Sequence, residues 1–388
     1  MKQKNILIEN ETENIKKGGG KGFIKEILNN SKKYLEKERI KISKAKEEEQ
    51  KKIKEILLKQ RKEEQEKREN ILKNKKKENA INVEKVFLNQ KILQDCRIWS
   101  DDLFMSNKKS LCFHDKKGNW IIPEYGCPAF LRGWDKIKWV RINEIKKLDN
   151  CDVFYEGATL DDIKQGGIGD CYFLSAIGSL TNFPNFIESH FYLEKEKKHI
   201  YGIYFFINGR WKKVLVDDIF PCKMNEKNPF GELYFSCSFQ NEIWVSLIEK
   251  AWAKVNGSYA NIDYGGFSYE VFDILTEAYS EHIEIGVKGK AKIWEILVNS
   301  EKRKYLMTVA SKSFDLISGF KYELILGLEE KHAYTVVKTK IIEPNKGEKV
   351  RLVQLRNPYG EKEYTGDWGK YSKKWTPELK KNINMMKK

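Results

Sequence analysis

The stretch Gln165-Gly166-Gly167-Ile168-Gly169-Asp170-Cys171-Tyr172-Phe173-Leu174-Ser175-Ala176-Ile177 decides how the rest of the chain is read. Its glycines predict a tight loop of bare backbone that a peptide can approach closely. From Cys171 onward the residues are mostly apolar, which predicts a helix with the sulfur at its N-terminus. The partial positive charge at such a terminus favours the thiolate, the reactive form of cysteine. Gln165, six residues earlier, carries a side-chain amide able to face an oxyanion beside the Cys171 backbone N–H. Taken alone, one thiol among seven is more simply a buried structural cysteine next to an ordinary loop.

Working outward, both kinds of secondary structure are signalled. Residues 199–218 place apolar arms on either side of Asn208-Gly209, a strong two-residue hairpin signal. Over Asn241 to Asn256, Trp244, Leu247, Ile248, Ala251, Trp252 and Val255 fall on one helical face, and Gly257 follows as a stop. Tyr264-Gly265-Gly266 reads as a hinge, and strand-like runs follow at 332–337 and 351–356. No internal repeat is evident.

The segment around Cys171 resembles the active-site signature of the calpain family, a Gln-Gly-x-x-Gly-Asp-Cys run before an aromatic residue and a helix. That resemblance implies a base and its orienter downstream, in the order Cys, His, Asn. Of the five histidines (His114, His190, His199, His282, His332), only His332 sits in a matching setting. Gly327-Leu328-Glu329-Glu330-Lys331-His332-Ala333-Tyr334 resembles the family's Gly-Leu-x-x-x-His-Ala-Tyr pattern. Further on, Leu355-Arg356-Asn357-Pro358-Tyr359-Gly360 resembles Leu-Arg-Asn-Pro-Trp-Gly, although by itself such a run is a turn. Val216–Pro221 and Glu242–Tyr259 also look like calpain core sequence, so the match runs from Cys96 to Trp368. The resemblance implies an α+β, papain-like fold of two lobes. A helical lobe over 91–265 would carry Cys171, and a β-rich lobe over 266–388 would carry His332 and Asn357, with substrate lying between. Cys171 is then the expected nucleophile, His332 the base, Asn357 its orienter and Gln165 an oxyanion donor. The expected activity is that of a cysteine endopeptidase cutting internal bonds of intracellular proteins. A weakly catalytic scaffold is the alternative.

The same resemblance implies calcium. In the first lobe the matching ligands are the carbonyls of Tyr155 and Gly157 with the carboxylates of Asp162 and Glu242, a mixed oxygen set suited to a hard cation. In the second lobe Glu363 matches a ligand, but Lys370 stands where an Asp is implied. The loop for the remaining ligands would lie past residue 388, so that lobe is expected to be cut short. Two aromatic exchanges accompany this: Tyr172 and Tyr359 stand where the family pattern has Trp. Tyr359 is expected to shield the His–Asn hydrogen bond less fully.

Composition bounds the rest. Ten Trp, eighteen Tyr and twenty Phe, nearly all after residue 85, supply a core there. Residues 1–30 read as a flexible leader, and 31–90 as a long Lys/Glu-rich helix or weak coiled coil, a spacer or a surface for a protein partner. Residues 31–80 hold nineteen Lys/Arg and eleven Glu, half of the net charge of +16. Such a run is a solvated face and argues against a nucleic-acid partner. No long apolar run opens or interrupts the chain, and seven cysteines without a C-x-x-C pair fit a reducing cytoplasm.

Overall fold

The computed structural model describes residues 99–114, 120–121, 137–145, 151–193, 199–225, 228–239, 241–312, 326–360 and 363–382. The leader and charged helix expected over 1–90 lie outside these residues. The chain divides into the units Met1–Lys77 and Glu78–Lys388, and every described residue lies in the second.

The Asn107 side chain caps the one-turn helix α1 (Lys108–Leu111) by accepting from Lys109 N–H at 2.8 Å. A short antiparallel pair follows, β1 (Phe113–His114) with β2 (Trp120–Ile121). After β3 (Ile137–Arg141) and β4 (Ile163–Lys164) comes α2 (Cys171–Leu180), the helix predicted from the opening stretch. All ten of its residues are buried. A helix apolar on every side can only sit inside a core.

Next come β5 (Phe191–Leu193), β6 (Tyr201–Ile207) and β7 (Arg210–Val216), one antiparallel sheet in chain order. The β6–β7 turn is the predicted hairpin, and Asn208 and Gly209 both have positive φ, 54° and 74°. Positive φ at both central residues gives the turn whose twist matches the flanking strands. A second sheet has the order β3-β8-β9, with β8 (Ile219–Asn225) and β9 (Asn228–Leu233); β10 (Cys237–Ser238) pairs with β4.

The predicted amphipathic helix is α3 (Trp244–Val255), stopped at Gly257, whose φ is +91°. It stacks on α2 through Phe173 and Trp252, ring centroids 5.3 Å apart and 7° from parallel. It also carries two lysines into the interior. Lys250 pairs with Asp217, and Lys254 with Asp101 at 2.6 Å. Burying an ammonium is costly unless it is paired and hydrogen-bonded, and carbonyls of Ile219 and Leu215 complete each shell. Asp218 is likewise paired, by Arg141 and His199.

After α4 (Tyr259–Asp263) and the Gly265-Gly266 break, the chain forms two helices before any strand. The first, α5 (Ser268–Thr276), buries Val271, Phe272 and Leu275 against α2 and β6. The second, α6 (Ile285–Lys302), is kinked at Gly289. Then β11 (Thr308–Ala310), β12 (Ala333–Asn345) and β13 (Glu348–Arg356) form the third antiparallel sheet. On one face of the β12–β13 hairpin Ile342 packs with Trp375 and with Leu379 of α7 (Pro377–Asn382). The other face meets α6, whose Glu301 accepts from Thr339 N–H at 2.7 Å. No helix among the described residues is long and apolar enough to cross a membrane.

Candidate active site

Cys171 opens α2, and one side of that helix is fastened to β11 and β12 at one-turn intervals. Ala333 N–H points at Cys171 Sγ (3.4 Å), Thr335 Oγ1 donates to Ser175 O (2.8 Å), and Met307 N–H donates to Ser179 Oγ (3.1 Å). Between these contacts lies Gly178. A Cβ there would sit 2.8 Å from Thr335 Oγ1 and 2.9 Å from Leu160 Cδ1. Glycine in the interior of a helix weakens it, and here it lets strand and helix approach. The sulfur is thereby set against the residue that follows His332.

His332 immediately precedes β12 and is buried, with 4% of its surface exposed. Its backbone N–H donates to Ser311 Oγ at 3.1 Å. Its ring is held on three sides. Nε2 lies 2.8 Å from Asn357 Oδ1, Tyr359 stacks on it at 4.7 Å and 3°, and Tyr334 meets it edge-on at 4.9 Å. Asparagine oxygen only accepts, so Nε2 carries the proton and Nδ1 is left as the basic nitrogen. The Tyr359 ring lies face to face on the imidazole. Lys331, just before His332, has a left-handed φ of 50°, which bends the chain into the strand.

The loops bearing Gln165 and Asn357 are tied together. Gln165 N–H donates to Pro358 O at 2.8 Å, and Arg356 donates to Asn357 O and, at 3.3 Å, to Ile163 O. Within its own loop, Gln165 Nε2 donates to Ile168 O at 2.7 Å, while the buried Oε1 has no partner among the described residues. One Nε2 hydrogen is thus used inside the loop, and a second is available. The glycines also serve the packing of the loop itself. A Cβ at Gly166 would collide with the Phe235 backbone, and at Gly169 it would sit 2.7 Å from Asp263 O. They let the loop nest against neighbouring chain, not only against a substrate. Tyr172 points inward, its hydroxyl accepting from Trp252 Nε1 at 3.1 Å, with Gly266 closing over its ring.

Burial pushes the Cys171 thiol up to about 11, and Asp170 adds to the rise, while the Ala333 N–H opposes it. The sulfur is therefore a neutral thiol unless a partner takes its proton. What the arrangement can do chemically is pass that proton to a held imidazole and expose a nucleophile beside backbone donors.

A second cluster involves the residues expected to bind calcium. Glu242 Oε2 accepts Tyr155 N–H at 3.0 Å, and Asp162 accepts Thr159 N–H and Oγ1 at 2.6 and 2.7 Å. Gly157 has φ +90°, and Ala158 N–H donates to Glu188 at 2.8 Å. Glu242 is fully buried, its Oε1 has no partner among the described residues, and burial followed by the nearby Asp162 raises its carboxyl to about 7. Glu363 is different: Lys370 Nζ pairs with it at 2.7 Å. Among the described residues no group of three or more His, Cys, Asp or Glu is placed to hold a metal.

Neither the α2 seam nor Ser311 was read from the sequence, although Ser175 and Ser179 left a trace. They are polar residues four apart on an otherwise apolar helix.

A family model described as "Calpain family cysteine protease" matches residues 99–388. The human calpain-1 catalytic subunit is 34% identical over 295 residues, covering 74% of this chain and 38% of that protein. The rat calpain-1 catalytic subunit is 33% identical over 293 residues with the same coverage. The Arabidopsis thaliana calpain-type cysteine protease DEK1 is 30% identical over 257 residues, 63% of this chain and 11% of that protein. The chain thus spans well under half the length of these curated relatives.

Proposed function

Because the chain belongs to the calpain family of cysteine proteases, we propose that it is a cysteine endopeptidase with Cys171 as nucleophile, His332 as base and Asn357 as orienter. The observation that carries this reading is the joint placement of three groups. Cys171 Sγ sits on the N–H of the residue after His332, and His332 Nε2 lies 2.8 Å from Asn357 Oδ1.

His332 Nδ1 takes the thiol proton, and the resulting imidazolium offsets the cost of a buried thiolate. The sulfur attacks the substrate carbonyl carbon, and the π pair moves to oxygen. The developing oxyanion meets the second Gln165 Nε2 hydrogen and the Cys171 N–H, a first-turn donor with no intrahelical acceptor. As the C–N bond breaks, the imidazolium gives its proton to the leaving amine, which departs as the new N-terminus. A thioester remains. Water, deprotonated by His332, attacks it and releases the acid and the thiol. Asn357 keeps the imidazole in one tautomer and plane throughout.

Calcium fits the first cluster, whose orphaned Glu242 oxygen and raised carboxyl call for a cation. Asp162 and Glu242 with the carbonyls of Tyr155 and Gly157 would hold it. When bound it would supply positive charge that draws these segments together. Glu363, expected as a ligand, already has its charge met by Lys370, and no second calcium is proposed. The same reading includes a papain-like pair of lobes, 91–265 and 266–388, cytosolic protein substrates and a cytoplasmic location.

Hydrolysis of casein by the full chain, with calcium and with a chelator, against Cys171→Ala tests the proposal. Activity confined to the parent protein is expected, and greater with calcium. Equal background in all samples would sink the enzyme and leave a non-catalytic scaffold. Undiminished activity in chelator would sink calcium control alone.

A further inference from the structure

Arg356 takes part in no step of the proposed reaction, yet it ends the strand that leads to Asn357. Its side chain is 20% exposed and turns back toward β4. Nη1 donates to Asn357 O, and Nη2 donates to Ile163 O at 3.3 Å, 193 positions earlier in the chain. Nε faces Asp161 at 3.9 Å, but that acid is 60% exposed, so solvent weakens the pairing. The guanidinium is therefore held chiefly by the two carbonyls. A flat fork of N–H donors can serve two acceptors at once, whereas a lysine ammonium, compact and on a flexible stem, has no such fixed spread.

Each end of this grip lies beside a residue of the site. Ile163 is anchored in the core: its side chain is 2% exposed, it pairs with Ser238 of β10, and Gln165 follows two residues on. At the other end, both Asn357 oxygens are engaged twice. The backbone oxygen accepts Gly360 N–H at 3.0 Å besides the Arg356 fork. Oδ1 accepts Tyr359 N–H at 3.0 Å besides facing His332 Nε2 at 2.8 Å. Asn357 Nδ2 has no partner among the described residues. The short side chain thus carries Oδ1 wherever the backbone of the turn goes. A second tie, from Gln165 N–H to Pro358 O at 2.8 Å, runs beside the first. One hydrogen bond is a pivot; two set an orientation.

We propose that Arg356 is a positioning residue of the proteolytic site. It fixes the Asn357 turn against β4, and with it the spacing between the orienter of His332 and the oxyanion donor Gln165. The proposal rests on the triad reading given above. In that reaction the imidazole must keep one plane while the oxyanion forms beside Gln165 and the Cys171 N–H. Without the fork the turn can rock about the Gln165–Pro358 bond, moving Asn357 Oδ1 and, through it, the ring. Substrate binding does not need that registry, because the peptide is bound before the imidazole moves a proton. The loss therefore falls on kcat rather than on KM. A shift near 1 Å can cost about a hundredfold, so the expected fall is on the order of tenfold to a hundredfold.

The test uses the full chain as the parent, Arg356→Ala and Arg356→Lys. Initial rates on a fluorogenic peptide give kcat and KM. They are taken with and without guanidinium chloride far below its denaturing range, with sodium chloride as the ionic-strength control. Hydrogen exchange read by mass spectrometry follows the Tyr359 and Gly360 amides, both bonded to Asn357. Arg356→Ala should lose about tenfold to a hundredfold in kcat with KM within about twofold. Added guanidinium should return part of that rate where sodium does not. Arg356→Lys keeps a charge toward Asp161 without the fork and should stay low. Both variants should exchange the turn amides faster. An unchanged kcat, a loss carried by KM, parental activity in Arg356→Lys, or no return of rate with guanidinium would overturn the proposal. Should Arg356→Ala not fold, Arg356→Lys, which keeps the stem and the charge, decides. If the parent cleaves nothing but the variants still exchange faster, the grip stands and the proteolytic reading falls. Unchanged exchange removes the grip itself.

Discussion

Replacing Gly178 with alanine should move the proposed nucleophile away from its base without touching either. The added Cβ would lie 2.8 Å from Thr335 Oγ1, 2.9 Å from Leu160 Cδ1 and 3.4 Å from Ile163 Cδ1. Thr335 cannot simply swing aside, because its hydroxyl is bound to Ser175 O on the same helix at 2.8 Å. The strand must therefore back off by roughly half an ångström, the gap between these contacts and ordinary packing distance. Alanine gains about 1 kcal/mol in helix propensity, and overpacking costs about 1–3 kcal/mol, so the net loss of stability is about 0–2 kcal/mol. The kinetic effect is larger in proportion. A misplacement near 1 Å can cost about a hundredfold, so half of that gives on the order of a tenfold fall in kcat with KM little changed. Urea denaturation and initial rates on a fluorogenic peptide measure the two quantities. Pairing Gly178→Ala with Thr335→Ala removes the clash with the strand, leaving that with Leu160, and should return part of the lost rate. If Gly178→Ala is as active as the parent, or if Thr335→Ala restores nothing, the seam does not set the site.

Asn357→Ala removes the 2.8 Å bond to His332 and should lower kcat by about 10²- to 10⁴-fold, with stability changed much less; a fall under threefold in a steady-state assay would refute the orienting role. Phe173→Ala opens a cavity against Trp252 in the fully buried core and should cost about 3–5 kcal/mol in urea unfolding. Glu242 has a folded pKa of about 7 against an ordinary 4.5, so between these values the folded state binds more protons than the unfolded one. Stability should therefore fall as pH rises through that window, and Glu249, raised in the same way, adds to the fall. Calcium offsets the Glu242 part, so its effect on Tm by calorimetry should be larger at pH 8 than at pH 5 and lost in Glu242→Gln; equal shifts at both pH values would contradict the site.

Local signals were readable where local chemistry decides the outcome. Asn208-Gly209 forms its turn because both residues tolerate positive φ, and α3 forms because its apolar residues recur at helical spacing. What escaped depends on partners distant in sequence. Asp217, Asp218, Lys250 and Lys254 looked like family sequence, and only the folded core shows that they neutralise one another or their neighbours in the interior. The glycines at 166 and 169 read as room for a substrate, because nothing local reveals that Phe235 and Asp263 come up against them. Helices α5 and α6 were passed over in favour of strands. α6 contains Gly286 and Gly289, which blur its pattern, and α5 is short. In the site, motif order brought out Cys171, His332 and Asn357. Ser311 and Thr335 belong to no motif and become visible only through the groups they contact.

The contact between Ala333 N–H and Cys171 Sγ spans 162 positions of sequence. On a ribosome adding about 5–20 residues per second, the cysteine is made roughly 8–30 s before its histidine exists. Throughout that interval the thiol has neither the imidazole nor the strand whose N–H faces it. With the activity proposed above, a growing chain and the neighbours translated beside it would be spared premature cutting by the order in which the residues are synthesised. Reversing that order by circular permutation would remove the delay while leaving the finished site the same.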